Sequence, residues 1–139
     1  MTIVLDKHQW ITRDQLRGLG AHAVSVGSHT YDHNPVPEYT GTDFRTQLVD
    51  SRSELSRILG KPVDDFAYPY GSWKKSSLPH VKAAGYRMAF GLDTPIDPTY
   101  PLLSYPRVIV PPTWSEARLL QGIERAPHPT SNDADAGGE

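Results

Sequence analysis

The chain of 139 residues contains no cysteine, which excludes disulfide bonds, thiolate metal sites and cysteine nucleophiles. Long apolar runs are also absent, so no segment approaches the roughly 20 residues that a transmembrane helix needs. The chain also lacks an excess of either charge, because it has 14 Lys and Arg and 16 Asp and Glu. The resulting net charge of −2 argues against nonspecific nucleic-acid binding. The N-terminus shows no basic segment followed by an apolar core, so no signal peptide is visible.

What the sequence does contain is an alternation of helical and extended patterns over the length of one domain. Thr12 and Gln15 form a capping box for a short first helix, and Gly60 ends a clear amphipathic helix over residues 42–59. Alternating apolar patterns predict strands at 23–27, 63–68, 86–90 and 105–110, with a further helix at 78–84. This order predicts an α/β fold with parallel strands, in which the chemistry lies on loops at the C-terminal ends of the strands.

The C-terminal part of the chain is rich in proline. Six of the 13 prolines lie in residues 95–112, which predicts mostly loop there. Thr113 and Glu116 form a second capping box and open a last helix. After Arg125 the chain carries three acidic residues, no basic residue and no apolar periodicity. We therefore predict a domain over 1–125 and a disordered acidic tail over 126–139.

Two histidines four residues apart, His29 and His33, are candidate metal ligands in the segment GSHTYDH. On a helical turn this spacing puts both rings on one face, where they could share a zinc ion or another divalent metal. The alternative is a pair of ordinary surface histidines. A catalytic zinc usually takes three protein ligands, and no carboxylate is well placed to be the third. Asp32 points away from His33 on a helix, while Asp64 and Asp65 lie at the opposite end of a predicted strand.

A second candidate segment is FAYPYG, residues 66–71. A strand that ends in Pro-Tyr-Gly makes a sharp turn, which can direct a backbone N–H into a cleft as an oxyanion donor. Tyr68, Tyr70 and Trp73 offer flat faces for stacking on sugar rings. The alternative is a strand that ends in a turn, with its aromatic side chains packed on the core.

Together these segments resemble the polysaccharide deacetylases, carbohydrate esterase family four. GSHTYDH, LGKPV, FAYPYG and AAGYRMAF follow one another as in that family, and the match runs over residues 10–110. The resemblance implies a partial, distorted (β/α) barrel that hydrolyses N-acetyl or O-acetyl groups on a polysaccharide. It also implies a divalent metal, usually zinc, that polarises the acetyl carbonyl and activates the attacking water.

The resemblance also implies roles for individual residues. His29 and His33 map onto the two metal-binding histidines, and Thr30 occupies the Ser/Thr position between them. Tyr70 maps onto the tyrosine whose backbone N–H holds the oxyanion. The substrate-binding wall of the groove is expected to include Tyr68, Pro69, Gly71 and Arg107.

The chain departs from the family pattern at three points. The T-F-D-D segment that carries the general base and the third metal ligand has no match, so we expect the first strand to be missing from this chain. Ala67 stands where the family has an arginine before Pro-Tyr-Gly, and Arg107 is hypothesised to supply that guanidinium from the opposite wall. His128 lies in the predicted tail, and the family's general-acid role is not assigned to it.

Three functions remain open at this point. The first is a metal-dependent deacetylase of an acetylated polysaccharide, of which this chain is an N-terminally truncated form that is expected to be inactive by itself. The second is a non-catalytic relative that binds glycan or metal, and the third is a small metal-binding α/β protein of unrelated function. Members of the family usually work outside the cytoplasm, which predicts an extracytoplasmic or cell-envelope location for the full-length protein.

Overall fold

The computed structural model describes residues 10–22, 24–92 and 95–125. Within these residues the helices are α1 (Arg13–Ala21), α2 (Ser51–Leu59), α3 (Leu78–Ala83) and α4 (Glu116–Arg125). The strands are β1 (Asp65–Ala67), β2 (Met88–Leu92) and β3 (Tyr105–Arg107). A π-helical segment, Arg45–Asp50, runs directly into α2. Single 3-10 turns lie at Val36–Glu38, Pro69–Gly71, Lys75–Ser77 and Pro101–Leu103.

The three strands form one parallel sheet in the order β1-β2-β3. Phe66 of β1 pairs with Ala89 of β2, and Ser28 forms an isolated parallel bridge with Phe66 on the other edge of β1. The predicted mixed α/β fold with parallel strands is therefore confirmed. The prediction of a strand at 23–27 is wrong for residues 24–27, which form no strand. Among the described residues, this segment meets the sheet only through the bridge of Ser28 to Phe66 of β1.

One face of the sheet carries the core. Phe66 and Tyr68 are fully buried, and their rings meet edge to face with centroids 5.1 Å apart. Leu48 and Leu78 are likewise fully buried in the same cluster, and each such side chain contributes about 1.5–3 kcal/mol to folding. Because neighbouring strand residues point to opposite faces, Ala67 lies on the face of the sheet that the core does not cover, where it is half-buried.

The ends of two helices agree with the sequence signals. The side chain of Thr12 accepts a hydrogen bond from Gln15 N at 3.1 Å, and Gln15 Oε1 accepts one from Thr12 N at 2.8 Å, which confirms the first capping box. At the end of α2, Gly60 adopts the left-handed conformation with φ of 68°, as the C-terminal glycine signal indicates.

Two helix predictions need correction. Residues 42–59 were expected to form one α-helix, but Arg45–Asp50 is π-helical. The carbonyls of Gln47 and Leu48 in that segment also accept the hydroxyls of Ser51 and Tyr86, at 2.6 and 2.8 Å. The last helix begins at Glu116 and not after Thr113, because Ser115 Oγ accepts the N–H of Arg118 at 3.3 Å.

The other strands and α3 lie within two or three residues of their predicted positions. No helix among the described residues is both long and apolar enough to span a membrane. The predicted acidic tail, 126–139, lies outside the described residues, so the domain boundary after residue 125 stays a prediction.

Candidate functional site

The loop that follows the Ser28 bridge brings the two candidate histidines together. The ring centroids of His29 and His33 are 4.8 Å apart, at an interplanar angle of 73°. The helical turn expected for this spacing is wrong, because Thr30 and His33 have φ values of 61° and 62° in an irregular loop. Left-handed backbone of this kind costs about 1–2 kcal/mol per residue, so the surrounding contacts must hold the loop in place.

The ring of His29 is oriented by the end of β1. Its Nδ1 lies 2.5 Å from the carbonyl oxygen of Ala67, which requires the proton on Nδ1 and leaves Nε2 as the lone-pair nitrogen. The pKa of His29 is lowered, mainly because burial disfavours the charged ring. The hydrogen bond to Ala67 raises this pKa in part, and the nearby His33 and Arg107 lower it further. A neutral, oriented imidazole with a backbone acceptor behind it is the form in which histidine binds a metal.

The loop between the histidines is held by two polar side chains, Thr30 of the motif itself and Gln47, which no sequence motif marks. Gln47 Oε1 accepts hydrogen bonds from the N–H groups of Tyr31 and Asp32, at 2.9 and 3.2 Å. Thr30 Oγ1 accepts the N–H of His33 at 3.1 Å. These bonds satisfy three backbone donors in the stretch that carries the strained residues. A glutamine on a helix gives no sequence signal of such a role, so the Gln47 contact depends on the tertiary structure alone.

The carboxylate of Asp32 belongs to no three-residue group of His, Asp or Glu among the described residues, so it is not the third ligand beside the two histidines. It accepts the hydroxyl of Tyr39 at 2.6 Å and the backbone N–H of Asn34 at 2.9 Å. Burial raises the pKa of the Tyr39 hydroxyl, and the bond to Asp32 raises it further, so this phenol remains a donor. The carboxylate is therefore engaged by residues that follow it in the chain.

The Pro69–Gly71 turn lies beside the histidine loop. Tyr70 has φ of 57° and is 65% exposed as a residue, and the centroids of its ring and the ring of His33 are 4.8 Å apart. The carbonyls of Tyr68 and Pro69 accept the N–H groups of Gly71 and Ser72 at 2.9 and 3.0 Å, while the N–H of Tyr70 has no partner among the described residues. That donor is therefore available to an external acceptor.

Gly71 is required in this turn by space as well as by conformation. Its φ is +67°, and a Cβ atom built there would lie 2.3 Å from the Cβ of Leu92 on β2. The turn thus packs directly on the neighbouring strand, which fixes where Tyr70 lies relative to the histidines.

The aromatic residues predicted to stack on sugar separate into two groups. Tyr70 presents an exposed face, and Trp73 is partly buried against the core. The stacking role of Tyr68 is wrong, because its ring is fully buried and its hydroxyl donates to Leu103 O at 2.7 Å. The residue contributes to the site only through its backbone.

Arg107, at the end of β3, reaches the site from across the sheet. Its Nη2 donates a hydrogen bond to the carbonyl of Tyr68 at 3.0 Å. The guanidinium therefore contacts the residue before the Pro69–Gly71 turn.

The donor set of the described residues fits a divalent metal in part. Two neighbouring imidazoles are ligands that suit zinc. One of them, His29, also has its Nδ1 hydrogen-bonded to a backbone carbonyl, as metal-binding histidines commonly do. A cleft of about 300 Å³ opens next to His29 and is also lined by Asp65, Ala67 and Phe90. Among the described residues, however, no group of three His, Asp or Glu side chains could hold an ion together.

Comparison with known proteins gives a consistent result. The sequence model of the polysaccharide deacetylase family matches residues 3–89. The chain is 33% identical over 70 residues to the chitooligosaccharide deacetylase of Azorhizobium caulinodans, a match that covers 50% of this chain and 32% of that protein.

Solved structures share the fold. A polysaccharide deacetylase from Bacillus cereus superimposes with a TM-score of 0.76 and 25% identity over 86% of this chain and 39% of the other. A Streptococcus pyogenes deacetylase, solved in complex with acetate, gives a TM-score of 0.75 and 22% identity over 84% of this chain and 52% of the other. The chain spans less than a third of the length of the curated relatives that it matches.

Proposed function

The chain belongs to the polysaccharide deacetylase family, and we propose that its site serves the metal-dependent removal of N-acetyl or O-acetyl groups from a polysaccharide. The observation that carries this proposal is the meeting of His29 and His33, with ring centroids 4.8 Å apart, beside the Tyr70 turn. The sheet with its helices would form part of a distorted (β/α) barrel.

The two histidines would hold the metal, and zinc suits them best. Bound there, the metal would supply Lewis acidity toward the acetyl carbonyl and toward water. The chain's own part is to present a lone pair on each ring. For His29 this is supported by the Ala67 carbonyl, which fixes the proton on Nδ1 and leaves the lone pair on Nε2.

The Pro69–Gly71 turn would bind the glycan. The N–H of Tyr70, which has no acceptor among the described residues, suits the oxygen that gains negative charge as the acetyl carbon becomes tetrahedral. The exposed ring of Tyr70 offers a face to the sugar next to the acetyl group. Pro69, Gly71 and Arg107 would act by holding this turn.

The identity of the glycan is proposed from the relatives. One of them is named for chitooligosaccharides, and one solved deacetylase binds acetate, the product of the proposed reaction. The curated relatives are bacterial, which supports a polysaccharide of the cell envelope and a site of action outside the cytoplasm.

A second candidate is a non-catalytic relative that binds glycan or metal. It is favoured by one observation, the lack of a three-ligand cluster among the described residues. The same observation leads us to expect no acetate release from this chain alone, because hydrolysis needs a base as well as a complete metal site.

A tetrahedral analogue distinguishes the two candidates without turnover. A chitooligosaccharide that carries a methylphosphonamidate in place of one acetamide mimics the transition state, which a hydrolytic site binds more tightly than the substrate. Binding of the analogue needs no base, so with zinc at the histidines and the Tyr70 N–H as donor we expect the chain to bind it at least about tenfold more tightly than the acetylated oligomer. Equal affinity would favour the non-catalytic binder, and no binding of either oligomer would contradict both.

A further inference from the structure

The proposed function requires two imidazoles on a strained loop to stay within reach of one ion. We infer that Gln47 is the positioning residue for this loop, and that its side-chain oxygen sets the geometry of the histidine pair. This inference rests on the proposed function only where metal affinity is concerned.

The first argument is the placement of the amide oxygen. Gln47 Oε1 accepts two neighbouring backbone donors, Tyr31 N at 2.9 Å and Asp32 N at 3.2 Å. These two residues lie between Thr30 and His33, the two positions with positive φ. One acceptor thus ties down the short stretch on which the distance between the rings depends.

The second argument is the helix geometry at Gln47. The residue lies in the π-helical segment Arg45–Asp50, and single π-helical turns are often found at functional sites. Its neighbour Leu48 is fully buried in the core, which anchors the helical segment from which Gln47 reaches the loop. Hydroxyl groups of Ser51 and Tyr86 bond the carbonyls of this segment and stabilise it.

The third argument is that loop and helix are joined a second time. The hydroxyl of Tyr31 donates to Asp50 O at 3.2 Å and to Glu54 Oε2 at 2.7 Å. Tyr31 is therefore held at both its backbone and its side chain by one helical run. Loss of the Gln47 acceptor would leave the hydroxyl contacts of Tyr31 and the Thr30–His33 bond in place but remove the acceptor of the Tyr31 and Asp32 N–H groups.

Two substitutions separate the hydrogen bond from side-chain shape. Gln47→Met keeps the length of the side chain and loses the acceptor, whereas Gln47→Glu keeps an oxygen that accepts both N–H groups. Gln121→Met, at an exposed position of α4, is the matched control. Ser56→Ala removes a bond to Val63 N far from the loop and controls for a simple loss of stability.

The first readout is amide hydrogen exchange at Tyr31 and Asp32 in the metal-free full chain. We expect protection of both amides in the wild type and in Gln47→Glu, and loss of protection at these two sites in Gln47→Met. If both amides already exchange freely in the wild type, the inference is overturned, whatever the variants do.

The second readout is zinc affinity by calorimetry. Outer contacts of metal-binding histidines typically contribute about 10- to 100-fold in affinity, so Gln47→Met should weaken zinc binding by that factor. Gln47→Glu should restore most of it, and Gln121→Met should have no effect. A zinc affinity equally reduced in Ser56→Ala and Gln47→Met would contradict positioning. If the wild type binds no zinc, the proposed function fails while hydrogen exchange still decides the role of Gln47.

Discussion

The guanidinium of Arg107 donates a hydrogen bond to the backbone carbonyl of Tyr68, at 3.0 Å, across the width of the sheet. The bond joins the end of β3 to the end of β1, although β2 lies between them. The same carbonyl accepts the N–H of Gly71 at 2.9 Å. Both donors therefore hold the start of the turn that carries Tyr70.

Replacement of Arg107 by alanine tests this anchor. Loss of a hydrogen bond from a charged donor costs about 1–3 kcal/mol, so Arg107→Ala should lower the free energy of unfolding in urea by that amount. Because the Pro69–Gly71 turn loses a restraint, the affinity for chitooligosaccharide should fall as well. The control is Arg125→Ala at the exposed end of α4. Unchanged stability and glycan affinity in Arg107→Ala would show that the anchor is dispensable.

A methyl group at Gly71 should disrupt the turn. Gly71→Ala would place its Cβ 2.3 Å from Leu92 Cβ, and φ is +67°. We expect a loss of about 3 kcal/mol or more in the free energy of unfolding, from overlap and left-handed strain together.

Gly41→Ala is the matched control for Gly71→Ala. Its φ is +48° with no atom within 4 Å of the new Cβ, so it should lose only about 1–2 kcal/mol for the conformation. Equal losses in the two variants would mean that Gly71 is required for its φ alone.

The ring of Tyr70 is expected to serve binding and not folding. The residue is 65% exposed, and asparagine tolerates positive φ, so Tyr70→Asn should change the free energy of unfolding by less than about 1 kcal/mol. The affinity for chitooligosaccharide should fall by up to about tenfold, which corresponds to a stacking contribution of about 0.5–1.5 kcal/mol. A variant that binds the oligomer as well as the wild type would remove the ring from the binding surface.

The carboxylate of Glu54 should make stability depend on pH. The pKa of Glu54 lies below its usual 4.5, chiefly because the Tyr31 hydroxyl donates a hydrogen bond to the carboxylate. Burial raises this pKa in part, and the Arg13 guanidinium lowers it further. The folded state therefore holds this proton less tightly than the unfolded state, so the contact stabilises at neutral pH. That stabilisation is lost as the pH falls through the lowered pKa.

The wild type should therefore exceed Glu54→Gln in free energy of unfolding at about pH 7, and the difference should shrink toward about pH 3. Urea unfolding across this range measures it. Glu124→Gln, at an exposed position of α4, should show no comparable trend. A constant difference between wild type and Glu54→Gln would rule out the titration of Glu54 as its cause.

The sequence predicted those parts of the fold that depend on local chemistry. The Thr12 capping box, the stop at Gly60 and the parallel β-α-β order all depend on neighbouring residues or on periodicity, and the structure confirms them. The π-helical segment Arg45–Asp50 could not be predicted in this way. Its carbonyls are partly satisfied by Tyr86, a partner 38 residues away.

The sequence predicted which residues meet at the candidate site but not the geometry in which they meet. The spacing of His29 and His33 indicated that the rings meet, yet the reason is a loop with positive φ and not a helix. The burial of Tyr68 and the reach of Gln47 depend on tertiary packing, which a strand or helix pattern does not report. Sequence patterns thus identified chemical groups, and packing decided which of them are exposed.

Zinc titration by calorimetry tests the central claim most directly. The account predicts that the wild-type chain binds one zinc ion and that His29→Gln and His33→Gln each weaken binding about tenfold or more. His22→Gln, at the exposed end of α1, should bind as the wild type does. Zinc binding that is absent from the wild type, or that survives loss of both His29 and His33, would contradict the assignment of the histidine pair as the metal site.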